Sequence, residues 1–574
     1  MILQALCEYY QRKASDPENG VAPEGLGYVE IPFLIRLDSQ GNFIDIEDTR
    51  VPNGKILVGK KFLVLADVGR TRQVKPNRLW DKADYSLGLP ISSSAKDVED
   101  AHERHSLFVN VLKNPKIAEI PQVKAVLAFF SNDPIEKILS HLGNDNEKWK
   151  IITQKNSILS FIIDDVPICS IPCIRQALLD SEEADMTSGI CLITGEQALI
   201  TKTHPKISNV SSKRAAIVSF NEPSFSSFKK EQNLNAPVSK SATFTYTEAL
   251  NMLLDKKSRN KMQVGDMTMV FWSEKPNQLE DFFSALWSIP TKDNPDADIE
   301  AVRKLYSSIK TGVFIQDSNT HFYLLGLSPN AARLAIRYWQ IGTVDDVSQK
   351  IKQHFDDLEI VKPNKDNGRC ALMPMLGSIV RKLDDLPPNL CGDVVKAVLQ
   401  GTPYPQSLLQ MILRRIRTDF SAYPSDERMR AALLKAFLNR KHRFNKTTDK
   451  EITVSLDKNN TNPGYLLGRL FATFEYLQEK AQPGINATIK DRYYGAASST
   501  PCMVFSQLFK LKNHHLAKLE NSGLKVYFEK LIGEITDGIS SDGLPAHLNL
   551  DDQARFAIGY YHQRQDFFKS KEEK

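Results

Sequence analysis

Three stretches of the chain carry cationic side chains at a density suited to holding phosphates. Residues 50–82 contain nine Lys or Arg (Arg50, Lys55, Lys60, Lys61, Arg70, Arg72, Lys75, Arg78 and Lys82) against Asp67 and Asp81, a local charge of +7 in a chain of formal net charge +5. Residues 202–230 contain Lys202, Lys206, Lys213, Arg214, Lys229 and Lys230 against Glu222, with Phe220, Phe225 and Phe228 among them. This mixture suits single strands, since bases stack on aromatic rings while cations follow the phosphates. For any one of these phenylalanines a place in the core is the ordinary alternative. Residues 404–446 contain Arg414, Arg415, Arg417, Arg428, Arg430, Lys435, Arg440, Lys441, Arg443 and Lys446 against Asp419, Asp426 and Glu427. The three blocks sum to +19, which leaves −14 for the remainder. Charge segregated in this way favours a path for a polyanion over general solubility, for which mixed surface charge suffices.

Catalytic constellations are not found. The chain has no GxxxxGK phosphate loop, no HExxH and no GxSxG. His102 and His105 lie three apart on an expected helix, a spacing compatible with a metal but ordinary on a solvated face. His514 and His515 are adjacent and so diverge on a helix. Cys169 and Cys173 have the wrong spacing for a zinc knuckle. The seven cysteines are odd in number and scattered, as in a reducing compartment. No window reaches the roughly 18 apolar residues of a spanning helix, and the start lacks the features of a signal peptide, so a cytoplasmic protein with no cofactor and no metal is expected.

Hydrophobic period predicts a helix over residues 2–12, strands over 29–37, 43–46, 56–58 and 62–66, helices over 97–112 and 122–130, and a buried strand over 158–163. Gly69-Arg70-Thr71-Arg72 reads as a turn. A helix begins near Thr245, and strands are expected at 267–272 and 322–327. Ser328 followed by Pro329 predicts a helix from Ala331 to Trp339, with Arg333 and Arg337 on one face. Beyond Gly401 the pattern is helical almost throughout, with apolar positions at Leu408, Ile412, Leu433, Phe437, Leu466, Leu470 and Phe474. The expectation is an α+β chain: a mixed α/β region over 1–400 and an all-α helical bundle over 401–574.

Several strings carry a resemblance: PNRLWDKADYSLG from Pro76, CLITGE from Cys191, IVSFN from Ile217, QNLNAPVS from Gln232, FYLLGLSPNAARLAIRYW from Phe322 and DRYYGAASSTP from Asp491. In this order, together with the MILQAL start, they resemble the large subunit of the type I-C, or Dvulg-subtype, CRISPR Cascade complex over most of the chain.

The resemblance implies a non-catalytic subunit of a crRNA-guided complex, placed at the end holding the crRNA handle. Such a subunit reads the protospacer-adjacent motif in double-stranded DNA, promotes duplex opening, stabilises the R-loop and displaced strand, and recruits the helicase-nuclease. Its implied partners are the crRNA, the target DNA, the Cascade backbone and handle-end subunits, and copies of a small subunit that the bundle resembles; no membrane is involved. Met411 and Met429 are candidate internal starts for a separate bundle.

The resemblance does not assign base contacts, so charge and context do. Lys60, Lys61, Arg70, Arg72, Lys75 and Asn77 are assigned to the duplex beside the motif. Asn77 is included because an amide can both donate to and accept from a base edge, although capping the turn before Leu79 would serve equally. Lys213, Arg214, Lys229, Lys230, Arg414, Arg415, Arg417, Arg440, Lys441 and Arg443 are assigned to the displaced strand or the backbone. The alternatives are a generic single-stranded DNA- or RNA-binding protein and a metal-dependent nuclease using His102.

Overall fold

The structure is a computed structural model, which describes all residues except 17–20, 54–55, 69–73, 132, 144, 183–185, 211–213, 288–296, 312–318, 332, 364–370, 420–423, 448–449, 542 and 569–574. The chain forms two compact units: Met1–Met252 with Pro329–Leu334, and Leu253–Ser328 with Ala335–Lys574.

The first unit is built on a mixed sheet in which Phe43–Asp48, Phe33–Leu37, Ile158–Ile163 and Trp80–Lys82 lie side by side in that order. Phe33–Leu37 runs parallel to Ile158–Ile163, and the other pairs are antiparallel. Phe33, Leu34, Ile35, Leu37, Leu159, Phe161 and Ile163 are all buried. Strands this uniformly apolar are covered on both faces. The helices Ala95–Leu112 and Pro121–Phe130 contribute Phe108, Phe129 and Phe130, whose rings meet Phe161 at 5.4–6.4 Å between centroids. Ser94 caps the first of these helices by accepting the Asp97 N–H, and the second starts on Pro121.

A separate two-stranded ribbon pairs Leu26–Ile31 with Lys60–Leu65, and a short hairpin pairs Val51–Asn53 with Ile56–Val58. Further on, Thr187–Ile190 pairs with Gln197–Ile200, and a helix spans Lys240–Leu254. Most helices and strands expected from sequence in this part of the chain are present, but the strand expected over 29–37 is two, Leu26–Ile31 and Phe33–Leu37, which meet at Pro32 and join different sheets, and the helix expected to begin near Thr245 begins at Lys240.

The second unit contains an antiparallel sheet in the order Lys261–Val264, Met267–Ser273, His321–Asn330, Arg333–Thr343. Here one expectation fails. Residues 331–339 do not form a helix; Arg333–Thr343 is a strand. Spacings of four share a face on a strand as well as on a helix, so Leu334 and Tyr338 fit either period. Tertiary context decides: Trp339 stacks on Tyr323 at 5.9 Å and 9°, and Tyr323 stacks on Trp272 at 5.3 Å, a row of rings across three strands. Ser328 caps nothing; its hydroxyl donates to the Asp266 carbonyl at 3.3 Å.

From Pro388 onward every regular element among the described residues is helical: Pro388–Gln400, Gln406–Thr418, Pro424–Asn445, Pro463–Ala481, Ile489–Ala497, Pro501–Lys518, Ser522–Asp537 and Leu550–Phe567. Gly401 ends the first with a left-handed φ of 70°. One apolar core runs from Met262 to Tyr561 and takes side chains from both sides of Gly401, while a second gathers residues between Leu466 and Tyr560. The helices Pro463–Ala481 and Leu550–Phe567 approach closely because glycines line the seam. A Cβ on Gly468 would lie 2.0 Å from the Phe556 oxygen, and one on Gly559 2.2 Å from the Tyr465 oxygen.

Candidate nucleic-acid interface

Within the first unit, Lys60 and Lys61 are exposed at the start of the strand Lys60–Leu65, opposite Ile31 and Glu30 of its partner. As neighbours on a strand they point to opposite faces, so a single flat ligand meets one of them. Lys75 is exposed. Arg70 and Arg72, with the expected turn that carries them, lie outside the described residues.

The segment that follows is fixed into the fold. Asn77 is only 4% exposed; its Oδ1 accepts the Val68 N–H at 3.0 Å, and its own N–H donates to Asp81 Oδ2 at 2.8 Å. Trp80 Nε1 donates to the Leu65 carbonyl at 2.9 Å, and Ser160 Oγ donates to the Leu79 carbonyl at 2.7 Å. Asn77 therefore ties together the two ends of a basic segment, and its amide oxygen is already engaged.

The second basic block lies beside the first. Arg214 Nη1 forms an ion pair with Asp67 Oδ2 at 3.0 Å, joining residues 147 apart in sequence. Both side chains remain substantially exposed. Lys213 lies outside the described residues. Lys229 and Lys230 are exposed, with no acidic partner among the described residues.

The three phenylalanines of this block differ, Phe220 being half-buried. Phe225 is covered by the Arg333 guanidinium, 4.4 Å from its ring centre, while Phe228 is 95% exposed. The backbone turns at Ser227–Lys230, where the Lys230 N–H donates to the Ser227 carbonyl at 2.9 Å. Phe228 and Lys229 take φ values of 52° and 57°. Positive φ at both corners defines the primed turn class, normally built from Asn and Gly. A residue with a Cβ costs about 1–2 kcal/mol in this region.

Asn235 holds the turn in place. Its Oδ1 accepts the Ser227 N–H at 2.8 Å, and its Nδ2 donates to the carbonyls of Lys230 and Gln232, each at 2.9 Å. Nearby, Asn233 Nδ2 donates to the Thr201 carbonyl at 2.8 Å, which leaves its Oδ1 to accept from His204 Nε2 at 2.5 Å. His204 Nδ1 then accepts from the Tyr246 hydroxyl at 2.5 Å. Burial lowers the His204 pKa, so the ring is a neutral support. These contacts explain the asparagines of the QNLNAPVS string; Asn235 and Arg333 were missed as positioning residues because no local period marks them.

The third block divides into inward and outward side chains. Arg430, 2% exposed, donates to the Ser378 carbonyl at 2.7 Å and to Asp419 at 2.6 Å. Lys435 Nζ donates to the Asp357 carbonyl at 2.9 Å. Arg440, 4% exposed, donates to the carbonyls of Thr402 and Ala397 at 3.2 and 2.7 Å and lies over the Tyr404 ring. Arg443 pairs with Asp357 and with Glu451. Lys441 pairs with Asp551 at 2.6 Å, Arg415 with Asp419 at 2.9 Å, and Arg417 donates to Gln553 at 2.7 Å.

This block is mainly an internal polar frame, because a helix packed on several sides must satisfy its cations with carbonyls and carboxylates. Arg440 in particular is buried, with its guanidinium bonded to main-chain carbonyls. Arg414 differs: it is exposed, has no ion-pair partner among the described residues, and lines a cavity of about 460 Å³ with Arg381, Arg415, Asp385 and Thr418.

Among the described residues, no group of three or more His, Cys, Asp or Glu is arranged to hold a metal, and no helix is long and apolar enough to cross a membrane. His105 is half of the pair considered for a metal. Its Nδ1 lies 3.0 Å from the Tyr85 carbonyl, and its ring packs edge-on against Phe130.

Two basic blocks adjoin in one unit, and an aromatic side chain is displayed beside lysines that have no acidic partner among the described residues. This arrangement agrees with what sequence comparison finds: over residues 6–568 the chain matches a family of CRISPR-associated proteins. It belongs to that family, described as CRISPR-associated protein (Cas_Csd1), the family of the type I-C Cascade large subunit. No curated protein matches the chain.

Proposed function

We propose that the chain is the non-catalytic large subunit of a crRNA-guided Cascade, acting in the cytoplasm without a cofactor, and that it reads the protospacer-adjacent motif in duplex DNA. The observation that carries this reading is the Arg214–Asp67 pair, which sets two basic blocks side by side in one compact unit. Lys75, Arg70, Arg72 and one of Lys60 and Lys61 lie against the phosphates of the flanking duplex, while Arg214, Lys213, Lys229 and Lys230 follow the strand displaced as the duplex opens. Within the second unit, Arg414 contacts a strand backbone on the helical part beyond Gly401, which acts like a small subunit in stabilising the R-loop. Guide pairing reads most of the target, and the protein reads only the short flank and the backbone. The remaining partners are the crRNA, the backbone and handle-end subunits, small-subunit copies and the helicase-nuclease.

The test is binding of the assembled complex to a duplex target at stepped salt, for the parent and for the Arg70→Ala, Arg72→Ala double variant. Each phosphate contact contributes a slope of about 0.9 in log K against log salt. The double variant is expected to bind every target more weakly with a slope shallower by up to about 2. An unchanged slope would remove these residues from the backbone path.

A further inference from the structure

We propose that Phe228, at the tip of the Ser227–Lys230 turn, is a stacking platform for an unpaired nucleobase, with Lys229 and Lys230 on the phosphates flanking that base. This rests on the nucleic-acid-binding reading above and names the part of the strand that the turn takes.

Three independent features converge on this turn. First, Phe228 is 95% exposed, the most exposed phenylalanine among the described residues, so its ring stabilises nothing in the fold. Second, it sits at φ 52° beside Lys229 at 57°, where asparagine or glycine would relieve strain. A bulky side chain held in a costly conformation and left in solvent points to a use outside the chain. Third, the turn is fixed rather than loose: Asn235 makes two hydrogen bonds to its backbone, at 2.8 and 2.9 Å, and a third, at 2.9 Å, to the Gln232 carbonyl just beyond it. The display is therefore pre-organised, and binding need not order it.

The neighbouring chemistry selects the ligand. Lys229 and Lys230 follow Phe228 directly on the same turn, both exposed, and no carboxylate among the described residues pairs with either. An exposed aromatic ring next to two unpaired ammonium groups on one turn matches a base with its neighbouring phosphates, and every base offers a π-face, so the contact is tolerant of sequence. Phe225 cannot serve, because the Arg333 guanidinium already covers it at 4.4 Å.

The experiment compares full-length parent, Phe228→Ala, Phe228→Gly and Phe228→Trp in binding two fluorescein-labelled single strands of equal length, one of mixed sequence and one with abasic sites throughout. The abasic strand keeps the phosphates and lacks the bases. The parent is expected to prefer the base-bearing strand about five- to 150-fold, the range that one stacked base supplies. Phe228→Ala should lose most of that preference while binding the abasic strand as before. Phe228→Trp should keep it, with tryptophan emission quenched on binding. Phe228→Gly should melt at a higher temperature than the parent yet bind less well, which separates loss of stacking from loss of folding. Equal preference in parent and Phe228→Ala would overturn the stacking role and leave the broader reading intact. No strand binding by the parent at low salt would overturn both. Unchanged strand binding by Phe228→Ala with loss of assembly onto the other subunits would overturn the proposal in favour of a protein contact.

Discussion

Arg214 and Asp67 are 147 residues apart in sequence and meet at 3.0 Å, so that a carboxylate stands between the two basic blocks of the first unit. Both groups are exposed enough that their pairing adds little to stability, of the order of 0–1 kcal/mol. Its consequence is electrostatic: Asp67 masks a cation that a phosphate would otherwise engage.

Removing the mask should strengthen binding. Asp67→Ala is expected to raise the affinity of the assembled complex for duplex targets and steepen its salt dependence, while Arg214→Ala lowers both. Neither should shift the thermal midpoint by more than a degree or two, given the size of exposed pairs. Fluorescence anisotropy at two salt concentrations, with a melting curve for each variant, checks this. Weaker binding in Asp67→Ala would show that the pair shapes the surface rather than screening it.

Asn77→Ala should act through folding. The substitution leaves the half-buried Val68 N–H without its acceptor and removes a buried amide, a loss of about 1 kcal/mol. Binding should fall uniformly across flanking motifs, in step with a lower melting temperature. A changed preference among motifs at unchanged stability would return Asn77 to a base contact.

The third block predicts two opposite phenotypes from one residue type. Arg414→Ala should leave the melting temperature unchanged and weaken binding to DNA. Arg440→Ala strips donors from the Thr402 and Ala397 carbonyls and removes a counter-charge 3.7 Å from Asp357, so it should destabilise the protein by about 3 kcal/mol. Parallel chemical-denaturation and binding curves distinguish them; equal stability loss in both would contradict the division into inward and outward side chains.

His354 makes stability depend on pH. It is buried, accepts from the Tyr404 hydroxyl at 2.6 Å, and desolvation, with Arg440 nearby, lowers its pKa to about 3. The unfolded chain, with an ordinary histidine, binds the proton more tightly between that value and about 6.5. The stability is therefore complete above this window and is lost as pH falls through it, at up to about 1.4 kcal/mol per pH unit. His354→Asn, whose amide oxygen can accept from Tyr404, should flatten the denaturation midpoint between pH 6.5 and 5. An unchanged slope would show that other histidines supply the dependence.

Most elements were legible because their periods are local: Leu408, Leu409, Ile412 and Leu413 fall on one helical face and are all buried. The strand Arg333–Thr343 was not, since its even spacings satisfy two periods and only the ring contacts with Tyr323 choose between them. Charge counts located the basic blocks but could not tell Arg414 from Arg440, because direction depends on which carbonyls the packed helix brings near. The proximity of Arg214 to Asp67 has no local signature at all. Asn77 was legible as a turn residue, and its burial was not.

The most direct measurement is selection from a duplex library with randomised positions beside a fixed target, using complexes assembled with and without this chain. The account predicts that the complete complex enriches a small set of flanking sequences and that this enrichment vanishes when the chain is omitted. Enrichment that persists without the chain, or guide-dependent binding by the complete complex with no flanking preference, would contradict it.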